Sequence, residues 1–176
     1  MGLRLDLSIG FAALDTLTAP PGTLSDNIGS GALALGCALD GRVGPVVFGA
    51  NADAAATFNQ SERFLGGHAG YARDLGSEEL AIVPEAGVHL VTGLGRGFLT
   101  ESDSPSATLP YAGLRLGMLH RRGPGRPDFG VWFFVRADLA RRTVVAHTTV
   151  FTDHHDIAYD VGGTAFGVSF RAQLGR

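Results

Sequence analysis

Eight segments of this 176-residue chain alternate apolar with small, polar or charged side chains, and no other feature constrains the fold as much. The first reads Leu3-Arg4-Leu5-Asp6-Leu7-Ser8-Ile9-Gly10-Phe11-Ala12. Successive side chains on a strand point to opposite faces, so a period of two predicts strands with two unlike faces. The segments fall at about 3–14, 29–40, 45–55, 63–74, 79–93, 110–121, 129–142 and 159–174, with no helical pattern between them. They exceed the roughly 5–6 residues of an ordinary globular strand. They match the ~9–11 residues with which a tilted strand crosses a bilayer. One domain spanning 1–176 is expected.

Composition bears on which face is outermost. Charged residues make up 18% of the chain, against roughly 25% in soluble domains. Apolar residues make up 45%, before 26 glycines are counted. Sorted by parity, one face carries Leu3, Leu5, Leu7, Ile9 and Phe11, then Leu33, Leu35 and Leu39, and stays apolar through Phe166, Val168, Phe170 and Leu174. The other face is mostly Gly, Ala and Ser, interrupted by a few charges. A water-facing exterior would carry many large polar residues, whereas a crowded interior favours small ones. The apolar face is therefore expected to lie outside, against lipid.

Charges on the small-residue face balance: Arg4, Arg115, Arg136 and Arg171 against Asp6, Asp53, Glu85 and Asp138. His68 and His89 share that face. Buried charges are costly unless paired, and an ion-selective pore would show rings of one sign. The expectation is a closed, salt-bridged lumen built from these ten residues. Two residues strain the pattern. Pro84 falls inside the fifth strand, where a bulge or a late strand start is expected. Trp132 falls on the lumen side by parity.

Connections alternate in length. A long polar stretch, Thr16 to Asn27, is followed by the tight Asp40-Gly41-Arg42-Val43-Gly44. A medium loop at Thr57–Glu62 precedes a second tight turn, Asp74-Leu75-Gly76-Ser77-Glu78. A long Leu94–Leu109, a shorter Arg121–Asp128 and a long Thr143–Ala158 complete the order. An up-and-down barrel with both termini beside the short turns reads this way.

In strand number, strand length and loop asymmetry the chain resembles the small eight-stranded outer-membrane barrels of the OmpA/OmpX type. The resemblance implies an all-β, antiparallel, up-and-down transmembrane barrel in the bacterial outer membrane. It also implies a monomer in contact with the lipid bilayer and lipopolysaccharide. Its role would be structural, or adhesion and surface interaction through long loops with an unidentified partner, rather than catalysis. Barrels of that family commonly end on an aromatic residue, whereas this chain ends Phe170-Arg171-Ala172-Gln173-Leu174-Gly175-Arg176. No signal peptide precedes the first strand, so an exported form would be the mature chain, with Met1-Gly2 as a start scar.

Other classes find less support. The longest apolar runs, such as Val131-Trp132-Phe133-Phe134-Val135, fall far short of the ~20 residues of a membrane helix. A net charge of −3 gives no basis for nucleic-acid binding. Cys37 is the lone cysteine and forms no internal disulfide. Asp153-His154-His155-Asp156, after Thr152 and with His147 upstream, matches no metal-ligand spacing and reads as a solvated loop. His68, Glu85 and His89 are expected to meet in the lumen as hydrogen-bonding partners rather than as a catalytic set. Ser102, Asp103 and His147 are the loop residues a lipid A-modifying enzyme would use, but no nucleophile motif surrounds them. Gly93-Leu94-Gly95-Arg96-Gly97 lacks the strand–helix setting of a phosphate loop. No catalytic residue, metal or cofactor is assigned. A soluble, lipocalin-like barrel would need the apolar face to line a cavity for a hydrophobic ligand.

Overall fold

The computed structural model describes residues 2–18, 31–57, 60–94, 100–123, 126–150 and 153–174. Ten strands follow in order: β1 (Gly2–Thr18), β2 (Gly31–Val43), β3 (Val46–Ala56), β4 (Ser61–Leu75), β5 (Glu78–Thr92), β6 (Thr100–Ser102), β7 (Ala107–His120), β8 (Asp128–Asp138), β9 (Arg142–Val150) and β10 (Asp153–Leu174). Eight of them pair antiparallel in the order β1-β2-β3-β4-β5-β7-β8-β10, and β10 pairs back onto β1. Closure leaves this barrel without an open edge.

The short turns stand at one end, with Gly2 and Leu174. Val43 pairs with Val46 and Leu75 with Glu78, so each of these hairpins has a two-residue connection. Gly44 (φ 58°) and Gly76 (φ 70°) occupy the first central position, where a type II′ turn requires positive φ.

The opposite, loop end departs from the sequence expectation. Residues 143–158 are expected as a loop, yet most of them form β9 and the first half of β10. The strand expected over 129–142 breaks after Asp138, and β9 takes β8's place beside β10 from Val161 to Asp153. Gly162, at φ 127°, sits where β10 changes neighbours, and a Cβ there would lie 2.5 Å from the Ala140 carbonyl oxygen. Within the expected 94–109 loop, β6 pairs with the tip of β9. Most of the long polar stretch after β1 lies outside the described residues, as do Gly95, Arg96, Gly97, Thr152 and Arg176.

Pro84 is accommodated without a bulge. The β4–β5 register is the same on both sides of it, His68 opposite Glu85 and Tyr71 opposite Ile82. Only the two intervening pairs are missing, and Pro84 still stands opposite Leu114 of β7. The register shift that does occur lies between Asp15 and Leu17, against β10.

Parity is kept around the whole barrel. Leu3, Leu7, Ile9, Phe11, Leu35, Ile82, Leu116, Phe133, Phe166 and Phe170 are all exposed, each by between 46 and 65%. The inward face is buried and small. Gly117 stands opposite Trp132, and a Cβ there would sit 2.3 Å from the indole, so glycine is what lets the ring lie inside. An apolar cluster of Val91, Leu94, Ala107, Leu109, Ala146, Tyr159 and Val161 packs β9 and β10 against the ends of β5 and β7. The hairpin is thereby fixed to the barrel by its own core.

Candidate functional site: the barrel interior

The charged and histidine side chains at the inward-facing positions are arranged with their partners in tiers. At the turn end, Glu79 receives Arg42 Nη1 at 2.5 Å, Arg121 Nη2, and Arg4 Nη1 at 3.4 Å. Asp74 is shared by Arg42 (2.9 Å) and Arg121 (2.7 Å). One tier higher, Asp6 accepts from Arg171 Nη1 at 3.1 Å and from Gln173 Nε2 at 2.8 Å. Gln173 Oε1 accepts from Arg4 at 3.1 Å and ties the two tiers together.

The middle tier is a quartet of two guanidiniums and two carboxylates. Glu85 lies between Arg115 Nε (2.6 Å) and Arg136 Nε (2.5 Å). Asp53 takes Arg115 Nη2 at 2.6 Å and Arg136 Nη2. Each charge has two opposite neighbours, which is the geometry that offsets burial. Tyr111 packs edge-on against Phe64, and Arg136 lies over both rings.

At the loop end, His89 stands between two carboxylates, Nε2 at 3.2 Å from Glu62 and Nδ1 at 2.9 Å from Asp138. Glu62 also accepts from the Thr16 hydroxyl and from Gln60 at 2.5 Å. Phe64 stacks on the His89 ring with centroids 4.1 Å apart and lies 4.6 Å below the Arg136 guanidinium. The quartet and the histidine tier are thus bridged by one aromatic ring.

His68, Glu85 and His89 do not form a common set. His68 and Glu85 are cross-strand partners, yet His68 is bonded to Asp40 (2.8 Å) and Asn51 (3.3 Å) while Glu85 is taken by arginines. Asp40 and Glu62 are interior carboxylates that the sequence reading assigns to a turn and a loop, while Glu79 stands at the start of the expected fifth strand and is not named for the lumen. β2 and β4 run further than expected, and continuing the period of two places all three inside.

The loop-end cluster is exposed. His147 Nδ1 lies 2.6 Å from Asp156 Oδ1, and the His147 amide donates to Asp103 at 3.1 Å. The Asp156 hydrogen bond raises the His147 pKa above the ordinary histidine value. His154 bonds Thr149 at 3.0 Å. Among the described residues no three side chains converge as a metal site.

Among the described residues, apolar side chains stand outside and tiers of charge within, the reverse of a barrel whose apolar face lines a ligand cavity. The chain is, by architecture, a closed eight-stranded antiparallel barrel, and the solved structures it is similar to include barrels of the outer membrane. Neisserial surface protein A superposes with a TM-score of 0.62 at 9% identity, covering 97% of this chain and 96% of that one. The outer membrane protein OprG from Pseudomonas aeruginosa superposes with a TM-score of 0.50 at 10% identity, covering 97% and 95%. No protein-family model matches the sequence, and no curated protein matches it.

Proposed function

We propose that the chain is a monomeric integral protein of the bacterial outer membrane with a closed, salt-bridged lumen. It serves a structural or surface-interaction role through its loop-end elements and is not an enzyme. The observation that carries this reading is the unbroken apolar exterior. Leu, Ile, Val and Phe side chains stand exposed on all eight barrel strands, far beyond the few hundred Å2 of contiguous apolar patch a water-soluble monomer carries. In hydrocarbon the same surface costs nothing, and a closed barrel presents no open sheet edge there.

The small-residue interior fits this medium, since inward charges are screened from lipid by the wall and neutralised by one another. The turn end, which holds both termini, is assigned to the periplasm and the loop end to the cell exterior, beside lipopolysaccharide. The similar structure titled a surface protein supports a role at the exposed end. A catalytic role is disfavoured because the buried hydroxyl–carboxylate–imidazole run of Thr16, Glu62 and His89 is at most 2% exposed and beyond a substrate's reach.

The test is direct. The folded chain should require detergent and migrate on gels at different apparent sizes before and after boiling. In planar bilayers it should show no large, steady conductance. Monomeric behaviour in plain buffer would defeat the membrane assignment; sustained open-channel current would defeat the closed lumen alone. Incubation with lipid A should leave every acyl chain in place by mass spectrometry.

A further inference from the structure

A groove of about 300 Å3 runs along the outer wall of the barrel beside the turn end. Its walls include Met118 of β7, Phe129 and Val131 of β8, and Phe170 of β10, with Glu78 and His120 at its margin. Strand register sets these side chains in two rows. Val131 stands opposite both Met118 and Phe170, which makes an apolar row. His120 stands opposite both Glu78 and Phe129, two residues nearer the turn end, which makes a mixed one. Apolar groups on the barrel side and polar ones toward the rim repeat the order in which a lipid presents its chain and its headgroup.

The rim beside the groove is cationic. Residues 121–127, which join β7 to β8, hold three arginines and no acid. Arg121 is committed to Asp74 at 2.7 Å and to Glu79. Its neighbour Arg122 is exposed, and among the described residues no carboxylate pairs with its guanidinium, which lies 5.7 Å over the Phe129 ring. The Arg122 main-chain N–H donates to Asp128 at 2.8 Å and fixes the residue beside β8. Glu78, the acid on this margin, is held by His120 Nδ1 at 2.7 Å. We propose that the groove seats one phospholipid of the periplasmic leaflet with an anionic headgroup, such as phosphatidylglycerol. One acyl chain lies along Met118, Val131 and Phe170, and the phosphate sits on Arg122. This rests on the membrane assignment and orientation proposed for the chain. An apolar groove in hydrocarbon offers water no partners, and left empty it forfeits contacts with its wall. A guanidinium presents the parallel N–H donors that a phosphate accepts.

Native mass spectrometry of the detergent-folded chain tests this, with equal amounts of phosphatidylglycerol and phosphatidylethanolamine carrying the same acyl chains. One phosphatidylglycerol should be retained per chain, favoured about fivefold, the share of one arginine at a membrane surface. Arg122→Gln should remove most of that preference, and Val131→Trp, which fills the groove, should lower retention of both lipids. Arg141→Gln, exposed at the loop end, should change nothing. Equal retention of the two lipids by the native chain would overturn the proposal even if a variant does not fold. So would an equal loss in Arg141→Gln, or displacement of the lipid by inorganic phosphate, which would leave the groove no part in binding. A barrel that needs detergent and shifts on boiling, yet holds neither lipid, overturns this proposal alone. A chain that is monomeric in plain buffer overturns the membrane assignment with it.

Discussion

Replacing Glu85 by alanine isolates what the middle tier contributes. Glu85 is 4% exposed and lies between the Nε atoms of Arg115 and Arg136, whose remaining carboxylate neighbour is Asp53. The substitution turns a balanced quartet into two guanidiniums on one carboxylate, in a space 3 to 4% accessible at the arginine side chains. Breaking a buried pair by removing one partner costs about 3–5 kcal/mol. At tenfold per 1.4 kcal/mol, the folded-to-unfolded ratio should fall by about two to three and a half orders of magnitude. Urea titration of the barrel in lipid vesicles, followed by Trp132 emission and by gel mobility without boiling, measures this. The combined change Glu85→Ala with Arg115→Leu restores neutrality and should recover more than half of the loss. A cost under about 1 kcal/mol for the single change, or a double variant as unstable as the sum of both changes, would refute the reasoning that charge balance holds the interior together.

Three further outcomes are expected. Gly117→Ala forces the Trp132 ring from its place and should cost about 1–3 kcal/mol, with a shifted emission maximum; unchanged emission and stability would show that the ring does not lie against Gly117. Leu7→Arg, on the exposed belt, should cost about 2–4 kcal/mol in vesicles if it faces the bilayer midplane, and Leu3→Arg, nearer the turn end, distinctly less; equal costs would refute the depth ordering. His147 should titrate by NMR above the ordinary histidine value, and Asp156→Asn should bring it down. The sign follows from the raised folded-state pKa: the His147–Asp156 contact favours the hairpin below the unfolded histidine's pKa and is lost as pH rises through the folded one. An unchanged titration in Asp156→Asn would exclude that pairing.

The strands and their two faces were legible because alternation survives in every wall of the barrel, from Leu3 in β1 to Leu174 in β10. The same parity is what puts charged and histidine side chains such as Arg115 and His89 on one face with the small residues. What was lost were the strand ends. Asp40 lies beside a Gly-containing turn, and such a residue resembles loop in sequence although the ladder runs on to Val43. The loop-end hairpin was hidden differently. Thr143 to Thr149 are β-branched or mixed in polarity, and their strand character depends on partners in β10 and β6 that only the fold brings together. Pairing was equally out of reach. Parity says that His68 and Glu85 share a face, but which neighbour each selects depends on the reach of arginines from β7 and β8, far along the chain.

The long last strand carries a mechanical consequence. β10 runs for 22 residues, a contour of about 70 Å at roughly 3.3 Å per residue, and it is hydrogen-bonded to β9 at its tip and to β1 and β8 along the rest. A load applied to the loop-end hairpin is therefore delivered along the axis of one continuous strand. Its ladders with β1 and β8 then resist in shear, many hydrogen bonds at once, rather than opening one after another. Whatever grips the tip of this molecule pulls on the whole wall.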